Sequence, residues 1–230
     1  MIGIAHEIDD ATKYSFQWYK NAVAKLPFPV IEILQQSVIK ENVERILSDS
    51  PGDSIIFFDH GNYTSLIGYN KQPVISTSRP EILKDREVFT MACQSARDLG
   101  PAAMNAGCKV YWGYIEVVTF DTAALPAFEE TLSSALVFRW RDKLEWSEVK
   151  RRVLELYDKY LNDEKIPTLS KLWLQQNRDR LRVYPLDPLP NNSTPRCQVS
   201  RALARLFGLK FLSWLRKIRE RLFGVSPGYP

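Results

Sequence analysis

Four short apolar runs, "IGIA", "SIIFF", "EVFTMA" and "CKVYWGY", punctuate the first 114 residues, with polar segments between them. Each is too short for a core helix and too continuously apolar for a strand with one wet face. Each therefore reads as a strand buried on both sides. The segments between them carry helical spacing. "DDATKYSFQWYKNAVAKL" opens on acidic residues and then repeats apolar ones, which predicts a helix over about 13–26. "VIEIL" is either a further strand or the start of a helix running through "ENVERILSDS"; residues 39–47 are helical on both readings. "YTSLIGYNKQPVIS" has two strand-like halves about residues 68–72 and reads as a hairpin, and "RPEILKD" as one or two helical turns. "LGPAAMNAG" is a short helix with Pro101 in its first turn and Gly107 at its end. Beyond it, "ALPAFEETLSSALVFRW", "WSEVKRRVLELYDKYL" and "TLSKLWLQQNRDRLRV" read as three helices. Strands alternating with helices predict an α/β fold with a mostly parallel sheet covered on both faces, followed by C-terminal helices.

Several chemistries lack their sequence basis. There is no GxxxxGK[ST], GxGxxG or GxSxG, and His6, His60, Cys93 and Cys108 form no CxxC or HxxxH pair, so no cofactor and no metal is expected. Three cysteines form no disulfide framework, the N-terminus lacks a signal-peptide pattern, and no window holds eighteen consecutive apolar residues. A reducing, cytoplasmic setting is the expectation.

The net charge of +4 is unevenly spread: residues 196–230 hold eight Lys/Arg and one Glu, leaving the preceding 195 residues at −3. Sequence-specific nucleic-acid binding is not expected of such a body. Four prolines within "YPLDPLPNNSTP" exclude regular structure. The expected organisation is thus an α/β domain over 1–184, a linker over 185–198 that holds Cys197, and a basic amphipathic helix within 199–230. In the last segment Leu203, Phe207, Phe211, Trp214, Leu215, Ile218 and Leu222 share one helical face. Such a helix suits a partner protein's groove or an anionic membrane surface.

The chemistry gathers at two strand ends. "SIIFFDHGN" stops on His60 and "EVFTMACQS" on Cys93, and reactive groups of parallel sheets collect beyond the carboxyl ends of the strands. A thiol attacking a carbonyl needs a neighbouring base and donors for the oxyanion. His60 supplies the base, and Gly61 lets a backbone N–H approach a reacting carbonyl without a Cβ in the way. A helix directly after Cys93 would favour the thiolate. Cys108, at the start of the next strand, reads as a small buried hydrophobe.

These elements resemble those of caspase-like cysteine peptidases, the clan of caspases, gingipains, separases and CHAT domains, most nearly the CHAT and gingipain types. "SIIFFDHGN" is similar to the clan's strand–His–Gly element. "VFTMACQSARDLGPAAMNAGCKVYWGY" is similar to its strand–Ala–Cys–x–Ser element. The resemblance spans residues 2–121, its specific part residues 55–61 and 88–114. It implies a three-layer caspase-like fold and a cysteine endopeptidase acting on a protein or peptide, with Cys93 as nucleophile, His60 as general acid/base and Gly61 as a backbone oxyanion donor. The alternative is a catalytically silent interaction module recruited through the basic C-terminal helix. Candidate substrate-pocket residues are Glu7, Asp9 and Asp10 after the first strand, and Glu116 and Asp121 after the strand that follows Cys93. His6, at a strand end, is placed to line the cleft. Carboxylates there would select Arg or Lys before the scissile bond, although Asp9 or Asp10 equally suits a helix cap and Asp121 a turn.

Overall fold

The computed structural model describes residues 1–189; the expected basic helix, Cys197 and most of the Pro-rich linker lie outside them. The elements follow the order read from the sequence. Strands β1 (Ile2–Ala5) and β2 (Ile31–Leu34) flank helix α1 (Asp10–Val23), and α2 (Lys40–Asp49) leads into β3 (Ile55–Phe58). "VIEIL" is therefore a strand, separated from α2 by a single 3₁₀ turn at Gln35–Ser37. A hairpin of β4 (Ser65–Ile67) and β5 (Pro73–Ser76) stands apart as its own small sheet. Then come β6 (Glu87–Met91), α3 (Leu99–Asn105), β7 (Val110–Tyr114), α4 (Leu125–Leu136), α5 (Trp146–Asn162), α6 (Thr168–Arg180) and β8 (Leu181–Tyr184). A π-helical turn, Val137–Arg141, ends α4.

Six strands form the central sheet in the order β2-β1-β3-β6-β7-β8. The first five are parallel and β8 runs antiparallel to β7. The fold is thus α/β with a mostly parallel sheet. One expectation is corrected here: "TLSKLWLQQNRDRLRV" is not helical to its end. Arg180 closes α6, and "LRVY" pairs Leu181 with Tyr114 and Tyr184 with Tyr111.

Period-2 alternation divides the core between the two faces of the sheet. Ile2, Ile4, Ile55, Phe57, Val88 and Tyr111 belong to one cluster, which includes Val43 and Leu47 of α2 and Ala103 of α3. Ala5, Ile56, Phe58, Phe89 and Trp112 belong to the other, with Trp18 and Tyr19 of α1, Phe128 and Leu132 of α4, Val153 and Tyr157 of α5 and Leu174 of α6. Both faces being covered explains the uninterrupted apolar strands. An aromatic ladder crosses the second face: Phe58 stacks on Phe89 at 5.6 Å between ring centres, Phe89 on Trp112 at 5.8 Å, and Trp112 meets Trp146 at 5.8 Å.

Candidate active site

β3 and β6 are parallel neighbours in register, Phe58 opposite Met91, so the residues just past their carboxyl ends are brought side by side. His60 and Cys93 each lie two residues beyond their strand. Gly61 reports how tightly the two turns meet. A Cβ built on it would sit 2.7 Å from the Cys93 carbonyl oxygen, 3.0 Å from the Ala92 Cβ and 3.5 Å from the Cys93 nitrogen. The backbones after the histidine and at the cysteine are in contact, with no room for a side chain between them. Among the described residues neither the Gly61 nor the Cys93 N–H is spent on another residue's carbonyl or side chain outside the regular elements.

The cysteine turn is braced from below. Gln94 takes a left-handed backbone (φ 59°), a conformation that costs a non-glycine residue and is held only by its surroundings. Its N–H donates to the Glu116 carbonyl at 3.0 Å, and the Ala96 N–H to Tyr114 at 3.1 Å. The buried Ser95 and Thr90 hydroxyls meet at 2.7 Å, one donating to the other; Ser95 Oγ lies 3.2 Å from the Ala92 carbonyl and Thr90 Oγ1 2.9 Å from the Trp112 carbonyl, one of which receives the remaining proton. Gly113 is what lets β7 lie against this pair, since a Cβ there would fall 2.6 Å from Ser95 Oγ.

His60 is oriented by two carboxylates. Its Nε2 donates to Asp9 Oδ2 at 2.8 Å, and its backbone N–H donates to Asp59 Oδ1 at 2.6 Å. With the proton on Nε2, Nδ1 is left as the ring's acceptor. Asp9 also caps α1, its Oδ1 accepting the Thr12 N–H at 2.9 Å in a capping box. The cap and the histidine partner are therefore the same residue. Burial raises the Asp9 pKa, but the hydrogen bonds from Thr12 and His60 outweigh it and leave the carboxyl below its ordinary value. Asp59, which no sequence motif singles out, turns its other oxygen, Oδ2, to His6 Nδ1. Both side chains of that pair are buried, and burial pushes the Asp59 carboxyl up while His6 draws it back. His6 itself is 1% exposed, and its Nε2 is buried without a partner among the described residues.

Two expectations at the nucleophile are corrected. No helix follows Cys93 directly: α3 begins only at Leu99, after five intervening residues, so Cys93 does not stand at its first turn. The thiol is pushed up, by burial, rather than down. Cys93 is half-buried, and its sulfur faces the Val118 carbonyl at 4.0 Å. Cys108 is buried as expected, donates to the Arg86 and Val110 carbonyls, and is pushed up to about 12 by burial.

The acidic candidates divide. Glu7, Asp9 and Asp10 line one cavity of about 400 Å³ with Ile8, Lys13 and Gln35. A second cavity, of about 480 Å³, lies beyond the ends of β1 and β2 and is lined by His6, Glu7, Gln35 and Tyr69 among others. Glu116 lies half-buried on the loop after β7, where its backbone carbonyl holds Gln94. Asp121 is a turn residue: its Oδ1 accepts the Ala123 N–H at 2.9 Å and the Ser170 hydroxyl at 3.0 Å. The structure does not bring it together with the carboxylates after β1 in either cavity. Comparisons with protein-family models, with curated proteins and with solved structures find no match for the chain.

Proposed function

We propose that the chain is a cysteine endopeptidase of caspase-like fold, with Cys93 and His60 as its dyad. The observation that carries this reading is the contact between the Gly61 and Cys93 backbones at the carboxyl ends of adjacent parallel strands, with the His60 ring tethered by Asp9. In the proposed reaction His60 Nδ1 accepts the thiol proton as sulfur attacks the scissile carbonyl carbon. The Gly61 and Cys93 N–H groups receive the oxyanion. The imidazolium then gives its proton to the departing amine, leaving a thioester. A water molecule, deprotonated by His60, hydrolyses that thioester and restores the thiol. Because burial disfavours the free thiolate, proton transfer to His60 has to accompany attack. Cleavage after Arg or Lys is the preference supported by the shared cavity of Glu7, Asp9 and Asp10.

A peptidyl ketone carrying Arg or Lys at its reactive end tests this. Mass mapping should place the adduct on Cys93, with labelling lost in Cys93→Ala and retained in Cys108→Ala. Adduct formation on Cys108, or cleavage surviving Cys93→Ala, would overturn the assignment. The competing reading, a silent caspase-fold module recruited through the basic C-terminal segment, is favoured by the burial that pushes the Cys93 thiol up. It expects no ketone adduct under any condition in which the protein stays folded.

A further inference from the structure

The loop beside the candidate nucleophile is fastened by one helix. Residues 115–121 leave β7 and run past Cys93, the Val118 carbonyl lying 4.0 Å from its sulfur. α6 grips this loop along its length. The Ile115 N–H donates to the Arg180 carbonyl at 3.0 Å, Gln176 Nε2 donates to the Val117 carbonyl at 3.1 Å, and Ser170 Oγ donates to Asp121 at 3.0 Å. The centre of the grip is Asn177. Its Oδ1 accepts the Thr119 N–H at 3.0 Å and its Nδ2 donates to the Thr119 carbonyl at 2.7 Å, satisfying one residue's backbone completely. Asn177 and Ser170 are 1% and 0% exposed, so these bonds sit out of water on the same helical stripe as core residue Leu174. Thr119 is the residue next to Val118: the strongest fastening on the loop is beside the atom that faces the thiol.

We propose that α6 is a strap that holds the Cys93 site shut, and that the described conformation is a closed resting state. Opening requires the 117–119 backbone to leave Asn177 and Gln176 and take its hydrogen bonds elsewhere. Asn177 therefore sets how often the sulfur is exposed. The proposal concerns regulation of the site proposed above and rests on that site being the reactive one; its test does not depend on peptide cleavage.

The full chain is treated with iodoacetamide and the alkylation of each cysteine is followed by peptide mass mapping. In the unaltered protein Cys93 should react roughly 100-fold or more slowly than in an unfolded peptide of the same sequence, because reaction waits for local opening. Asn177→Ala should speed Cys93 alkylation about tenfold or more, and the half-buried Gln176→Ala by a smaller factor, with Cys108 unchanged in both. Cys93 reacting at the unfolded-peptide rate in the unaltered protein, or at an unchanged rate in both variants, would overturn the strap. So would equal acceleration of Cys93 and Cys108, which marks general loosening. If the variants expose Cys93 to iodoacetamide yet the peptidyl ketone still gives no adduct, the strap stands and the peptidase reading falls.

Discussion

At the scale of single residues, the site rests on groups that each do two jobs. Asp9 caps α1 with one oxygen and holds His60 with the other. An amide in its place keeps an acceptor for Thr12 but turns an N–H donor toward His60 Nε2, which reverses the imidazole tautomer. Asp9→Asn should thus keep most of the helix stability that Asp9→Ala loses, about 1 kcal/mol, yet, on the proposed peptidase mechanism, lower kcat on a peptide substrate by roughly 10²–10⁴-fold. Urea denaturation beside steady-state kinetics checks both. Since the folded-state pKa of Asp9 lies below its ordinary value, its contribution to stability is complete at neutral pH. That contribution is lost only as pH falls through the folded value, below the usual carboxylate range. Gly61 has the opposite kind of importance, a need for absence. Gly61→Ala drives a methyl into the Cys93 carbonyl, and on the proposed mechanism the displaced turn should cost about 10²-fold or more in kcat/KM while far-UV circular dichroism stays unchanged.

At the scale of elements, the strands were legible because both faces of the sheet are covered, which leaves a continuous apolar signature. β8 was hidden for a physical reason. "LRVY" continues the helical spacing of α6 without a glycine or proline to mark the break, and what makes it a strand is the β7 edge it pairs with. His60, Gly61 and Cys93 were legible from their places after apolar runs. Asp59 and Asn177 were not, because each takes its meaning from a partner 53 or 58 residues away. A local signal did exist for Asn177: it shares the inward stripe of α6 with Ser170 and Leu174. A second inward polar group fastens α2. Arg86, 4% exposed, donates to the carbonyls of Leu47, Ser50, Asp53 and Ile82, and so satisfies backbone at the C-terminal end of that helix. Arg86→Met removes these donors and should cost about 3 kcal/mol, read as a lower denaturant midpoint at an unchanged slope.

At the scale of the whole molecule, residues 1–189 supply a two-sided core of their own, and among these residues no helix is long and apolar enough to cross a membrane. Truncation after Pro195 should therefore leave the thermal midpoint within a few degrees and the Cys93 alkylation rate unchanged. Aggregation of the shortened chain would show that the last segment belongs to the core. The reversed direction of β8 has its own consequence. Because it runs from beside Tyr114 back to beside Tyr111, the chain leaves the sheet at the amino ends of the parallel strands, the pole opposite His60 and Cys93. A covalent attachment made just past β8, at the exposed Leu186, would therefore hold the described domain by the pole away from the dyad. Immobilising the protein through that end should leave ketone access to Cys93 as it is in free solution.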